Sequence, residues 1–196
     1  MKVILIPCGA TEWRDSGRLL GRVEVPLTDE GRARCGQWAA LFGDERPVCI
    51  YHSSDELATE TAALIAKPLK VPTKSIRGLD EVDVGLWAGL TQEQLKSRYE
   101  SAFRQLCESP LNVSAPDGET FGEAVERVTR SLKKKLKRNG GAVTGFVMRP
   151  LALAATRCDM EERPMSEFWA TSMQADAPVV LDCTTKPAQA TQVGSQ

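Results

Sequence analysis

The sequence predicts an α/β fold built on a mostly parallel sheet, and three observations carry that prediction. Short apolar, β-branched runs alternate with longer segments that bear helix caps, the pattern of strands returning through helices. The length, 196 residues, fits a single domain around one core. The composition, 42% hydrophobic and 26% charged, is ordinary for a globular chain.

Each element has a local reason. Lys2–Ile6 is a short buried strand. Residues 7–27 carry Gly9, Gly17, Gly21 and Pro26 and are expected to form a long loop. Thr28 caps a helix with Asp29 and Glu30 in its first turn, running to about Phe42. Val48–Tyr51 is a second strand, a helix covers Asp55–Lys67 and stops before Pro68, and Val71–Ile76 is a third strand. Thr91 with Gln94 forms a capping box opening a helix to Cys107. Thr120 with Glu123 forms another, whose helix ends at Asn139-Gly140-Gly141. Ala142–Val147 is a strand, Leu151–Arg157 and Met165–Met173 are helical, and Pro178–Asp182 is an edge strand. One domain is expected over 1–183, with a disordered Thr/Gln/Pro-rich tail over 184–196.

The balance of 25 basic and 26 acidic residues argues against a nucleic-acid or membrane-surface partner. No run of 18 apolar residues exists, and the apolar start is too short for a signal peptide. The six cysteines are irregularly spaced, without Cys-x-x-Cys, which reads as reduced thiols in a cytoplasmic chain and gives no metal ligand set. His52 is the single histidine, so a mechanism requiring two is closed.

Four stretches carry a resemblance. They are Pro7-Cys8-Gly9-Ala10-Thr11-Glu12-Trp13 with Pro26-Leu27-Thr28-Asp29-Glu30-Gly31-Arg32; Ser53-Ser54-Asp55 with Ala58-Thr59-Glu60-Thr61; Leu79-Asp80-Glu81 through Gly85-Leu86-Trp87; and Pro116-Asp117-Gly118-Glu119-Thr120-Phe121. In order and spacing they resemble the histidine phosphatase superfamily, the phosphoglycerate mutase-like proteins, over about residues 2–182. The resemblance implies a three-layer α/β/α sandwich. It also implies a histidine that attacks phosphorus, a second histidine and two arginines that hold the phosphoryl group, and an acid that protonates the leaving group. No cofactor is implied.

Position by position, most of that machinery is replaced. The first arginine falls on Pro7, the nucleophile on Cys8, the motif glutamate on Ala10, the second arginine on Leu57, and the second histidine on Met148; only the acid, Glu81, has a match. A hydrogen bond to a charged group is worth about 1.5–3 kcal/mol, so losing three cationic groups removes roughly 4–9 kcal/mol of phosphate binding. That equals about three to six decades of affinity.

Other residues offer partial replacements. Cys8 with Arg14 satisfies the Cys-x5-Arg spacing of the unrelated cysteine phosphatases, although a thiol needs nearby positive charge to ionise. Arg14, Arg18, Arg22 and Arg149 are candidates for a rebuilt anion site, Arg18 matching a position that lines the family's substrate mouth. Gly21 belongs to the same loop, and His52 ends a strand facing the expected cleft. Lys133-Lys134-Lys135-Leu136-Lys137-Arg138 reads as a solvated helix face that suits the negative end of the dipole.

The expectation is therefore a catalytically inactive member of the family. It would bind a small anionic or phosphorylated molecule or a protein partner, and a homodimer is compatible with that role. The alternative is a phosphoric-monoester hydrolase of remodelled chemistry using Cys8 and Glu81.

Overall fold

In the computed structural model, which describes residues 1–183 and 190–192, six strands form one sheet of order β3-β2-β4-β1-β5-β6. They are β1 (Lys2–Pro7), β2 (Ile50–His52), β3 (Thr73–Ser75), β4 (Thr144–Met148), β5 (Val179–Asp182) and β6 (Ala190–Gln192). The β1–β4, β2–β4 and β2–β3 pairs are parallel; the β1–β5 and β5–β6 pairs are antiparallel.

Strand alternation builds the layers. Ile4 and Ile6 of β1, with Ile50 and Val147, face α2 (Asp29–Trp38) and α3 (Glu56–Leu69). Val3 and Leu5, with Tyr51, Phe146 and Met148, face α6 (Phe121–Arg138) and α7 (Pro150–Met160). Helices on both faces make the α/β/α sandwich the sequence implies. Each fully buried Ile or Leu in these layers contributes about 1.5–3 kcal/mol. A third cluster, around Trp87, Phe121 and Phe168, packs α4 (Gln92–Arg98), α5 (Glu100–Glu108) and α8 (Phe168–Met173) beside the carboxyl ends of the strands. Among the described residues no helix is long and apolar enough to cross a membrane.

Several expectations change. The 7–27 loop contains a helical turn, α1 (Glu12–Asp15), because the Thr11 hydroxyl accepts from Arg14 N–H at its start. The third helix runs past Pro68 to Leu69; it ends at Lys70, which turns left-handed (φ 55°) and donates back to Lys67 O. The expected helix over 91–107 breaks at Tyr99, whose φ of −133° separates α4 from α5. β5 is not an edge, since β6 pairs outside it. That pairing also corrects the disordered-tail expectation at 190–192, which extends the sheet. Residues 184–189 and 193–196 lie outside the described residues.

Candidate active site

Parallel pairing sets Pro7 beside Met148, so the next residues, Cys8 and Arg149, leave the sheet at one level. Cys8 N–H donates to Met148 O at 3.0 Å, extending the ladder by one step. Clefts in such sheets form above the carboxyl ends of the strands. Gly9 lets the chain pass close to α2 there: a Cβ on it would stand 2.6 Å from both Cys35 Sγ and a Leu27 methyl.

Two clefts meet at this end, and Glu81 borders both. The larger when the open mouth is counted, about 670 Å³ against about 430 Å³, has Arg14, Arg18, Leu20, Leu151 and Asp176 on its walls. The smaller is lined by Arg22, Glu24, Asp55, Asp80 and Arg149.

Glu81 is buried and held by backbone donors. Its Oε1 accepts from Val82 N–H (2.8 Å) and Ala152 N–H (2.7 Å), and its Oε2 accepts from Leu151 N–H (2.9 Å). Leu151 and Ala152 are the second and third residues of α7, and Pro150 before them has no N–H to offer. The carboxyl therefore sits on the positive end of that helix. Burial pushes its pKa up to about 7, while the three backbone N–H groups and Arg149 pull it down less strongly. The backbone of Glu81 is fixed as well: Arg22 Nε and Arg127 Nη2 donate to its carbonyl at 2.9 and 3.4 Å.

Cys8 is buried, and burial pushes its thiol well above the ordinary range. The charges of Asp55 and Glu81 add to that rise, while Arg149 and Arg14 oppose it. At neutral pH the residue is a thiol, not a thiolate.

Arg14 is built into the wall. Its Nη1 donates to Cys8 O at 3.3 Å, and its Nη2 donates to Ala175 O and to Asp176 Oδ1, the latter at 2.8 Å. Arg18 is exposed at the rim and donates to Gly89 O at 2.7 Å. Gly21 contributes its carbonyl, which accepts from Arg149 Nη1 at 2.8 Å. The structure thus brings Glu81 and Arg14 to one cleft with Arg18 at its mouth, while Cys8 and Gly21 lie behind the walls and line neither cleft. His52 stands apart: it lines neither cleft, and its Nδ1 lies 2.8 Å from Ser53 O, within the turn after β2. Leu57 is packed in the α2/α3 core, Pro7 is buried without a donor, and the Met148 sulfur accepts from Thr156 Oγ1 at 3.7 Å. These three positions supply no cation to the site.

Three features escaped the sequence reading. Arg149 pairs with Asp55 and Glu24 at full burial. Glu119 bridges Arg22 and Arg127, each at 2.7 Å. Asp176 covers Arg14 from 162 residues away. Only the first left a signal. Arg149-Pro150 marks a helix start and Asp55 a helix cap, so both side chains had to lie near the strand ends.

The family model "histidine phosphatase superfamily (branch 1)" matches residues 3–195. The chain is 26% identical over 169 residues to phosphoserine phosphatase 1 of Hydrogenobacter thermophilus, covering 86% of this chain and 80% of that one. It is 29% identical over 164 residues to a metal-independent phosphoserine phosphatase of Arabidopsis thaliana, covering 80% and 69%. A probable phosphoglycerate mutase of Salmonella arizonae is 31% identical over 157 residues, covering 78% and 71%. Among solved structures, a phosphoserine phosphatase of Entamoeba histolytica superposes with a TM-score of 0.82 at 20% identity, covering 97% and 95%. The two phosphoserine phosphatases among these relatives overturn the expectation of an inactive member and favour the phosphatase alternative. With the motif order, the sandwich and the family match over residues 3–195 all in agreement, the chain belongs to the histidine phosphatase superfamily, branch 1.

Proposed function

We propose that the chain hydrolyses small phosphomonoesters at the larger cleft, through a remodelled site. Glu81 is the proton donor, and Arg14 and Arg18 gather the anionic substrate. The observation that carries the reading is Glu81 itself. It is a buried carboxyl at the junction of the clefts whose pKa of about 7 keeps it substantially protonated near neutrality. A general acid works best with a pKa near the working pH. In the step, a water oxygen or the Cys8 sulfur bonds to phosphorus, its proton passing to solvent, as the oxygen–phosphorus bond to the alcohol breaks; the departing oxygen takes the Glu81 proton, which water then restores. Arginines supply fixed positive charge to the phosphoryl oxygens.

Cys8 occupies the position that the resemblance gives to the nucleophile. From the resting geometry its buried thiol does not attack; attack by sulfur requires it to lose its proton first, forming an S–P bond that water then cleaves. The curated relatives named above make phosphoserine the first substrate to try. The six cysteines, all free in the structure, fit a reducing, cytoplasmic setting.

The test is hydrolysis of an aryl phosphate and of phosphoserine by wild type, Glu81→Gln and Cys8→Ser. Removing a general acid costs about 10²–10⁴-fold, and the loss should be greater for phosphoserine, whose poorer leaving group needs the proton more. A Cys8→Ser variant without turnover assigns the attack to sulfur; one that retains turnover assigns it to water. No wild-type turnover above buffer would overturn the proposal.

A further inference from the structure

Arg149 is fully buried, and the chemistry proposed above gives it no role. Its guanidinium ties three segments together. Nε donates to Asp55 Oδ1 at 3.0 Å. Nη1 donates to Gly21 O at 2.8 Å and Val23 O at 2.7 Å. Nη2 donates to Glu24 Oε2 at 3.1 Å. The residue is also the cap of α7, whose next N–H groups hold Glu81. Asp55 is in turn the cap of α3, accepting from Ala58 N–H at 2.9 Å.

The segment that Arg149 grips from beneath, residues 21–24, continues a strap that walls both clefts. Arg18 and Leu20 face the larger cleft; Arg22 and Glu24 face the smaller. Arg149 thus joins the strap, the α3 cap and the α7 start through one side chain. A lysine has a point charge and cannot present the same planar fork to four acceptors.

We infer that Arg149 is a positioning residue that clamps the 21–24 strap to the starts of α3 and α7, and so sets the spacing of Arg18 and Glu81 across the cleft. The clamp stands on the contacts alone; its consequence for catalysis rests on the phosphatase reading. Loosening the strap moves the substrate-gathering arginine and leaves the acid on its helix. Substrate binding should therefore suffer more than the chemical step.

The experiment compares Arg149→Lys, Arg149→Met and Glu24→Gln with wild type. Amide exchange over residues 19–24 is read against amides of β1 and β4 in the same sample. In Arg149→Lys, the strap amides should exchange about tenfold faster or more while the sheet keeps its protection, since a local opening leaves the global one untouched. Glu24→Gln, at a half-exposed partner, should give a smaller rise in the same amides. With an aryl phosphate, KM should rise about tenfold and kcat change by less than about threefold, the split expected when binding alone is weakened. In Arg149→Met, a carbon-13 titration of the Glu81 carboxyl should move upward, because the arginine's charge lowers that pKa. If Arg149→Met does not fold, Arg149→Lys and Glu24→Gln carry the exchange arm.

Strap exchange that is unchanged relative to the sheet, or that rises only in step with it, overturns the clamp. So does a kcat loss without a KM change. If wild type shows no turnover, the phosphatase reading fails, and the exchange and titration arms still decide the clamp.

Discussion

Replacing Glu81 by glutamine should change how stability depends on pH. Glu81 titrates near 7 in the folded chain and near 4.5 when unfolded. The folded value is the higher one. Between the two, the native state holds a proton that the unfolded state has released. Stability that is fully present below pH 4.5 is therefore lost as pH rises towards 7. At about 1.4 kcal/mol per pH unit, the loss is about 3 kcal/mol. The residue is only 2% exposed, so solvent screening reduces that figure little. Glutamine does not titrate, but its NH₂ meets a backbone N–H where the carboxyl accepted one, and the unpaired donor costs about 1–3 kcal/mol at every pH. Urea unfolding of both proteins, followed through the four tryptophans, gives the difference directly. Wild type minus Glu81→Gln should be largest near pH 4 and smaller by about 3 kcal/mol near pH 8. A difference that is flat, or that grows with pH, would refute the reasoning. Either result would mean that the three backbone N–H groups outweigh burial and that Glu81 is ionised throughout.

Other perturbations follow from single contacts. Gly21→Ala should cost about 2–3 kcal/mol, seen as a lowered Tm, because alanine would be strained there and overpacked. The position has φ +51° and its new Cβ would stand 2.5 Å from a Val84 methyl. Asp55→Asn keeps the acceptor for Ala58 N–H but removes the charge facing buried Arg149, so unfolding in urea should show a loss of about 3 kcal/mol. Arg14→Gln should weaken inhibition by orthovanadate about 10–100-fold, the worth of one charged hydrogen bond to an anion. A disulfide reagent should modify Cys107 and Cys183 quickly in the native chain, and Cys8, Cys35, Cys49 and Cys158 only on unfolding. Cys35, whose pKa burial pushes up to about 11, should be among the slowest.

The fold was legible because its signals are local. The capping boxes at Thr91 and Thr120 open α4 and α6 as expected, with both reciprocal hydrogen bonds present. The β-branched run at Lys2–Ile6 fixes the central strand, and its alternation fixes which side meets which helices. Errors fell where a tertiary contact overrode local preference. Tyr99 packs its ring 5.8 Å from Trp87 and breaks a segment that reads as one helix. β6 forms because β5 offers it an edge, although its own composition reads as unstructured. The site was less legible for the same reason. Cys8 follows β1 directly and Arg14 lies in α1, both set by local sequence, but Arg149 meets Glu24 across 125 positions and Arg14 meets Asp176 across 162. Pairings that span so much of the chain leave no periodic signature.

The substitutions that read as losses also explain how Glu81 is poised. A carboxyl beside several cations stays ionised, since each opposite charge favours the anion. Here the residues at three of the expected cationic positions are Pro7, Leu57 and Met148, all buried and uncharged. Arg149, whose charge is shared with Asp55 and Glu24, lowers the Glu81 pKa by less than burial raises it. Burial then dominates, and the proton stays on Glu81 at a pH where an exposed glutamate has lost it. A further cation placed beside Glu81 would supply phosphate-binding charge. It would also pull the Glu81 pKa down and weaken the acid. The two properties oppose each other within one site, and in this chain the balance lies with the acid.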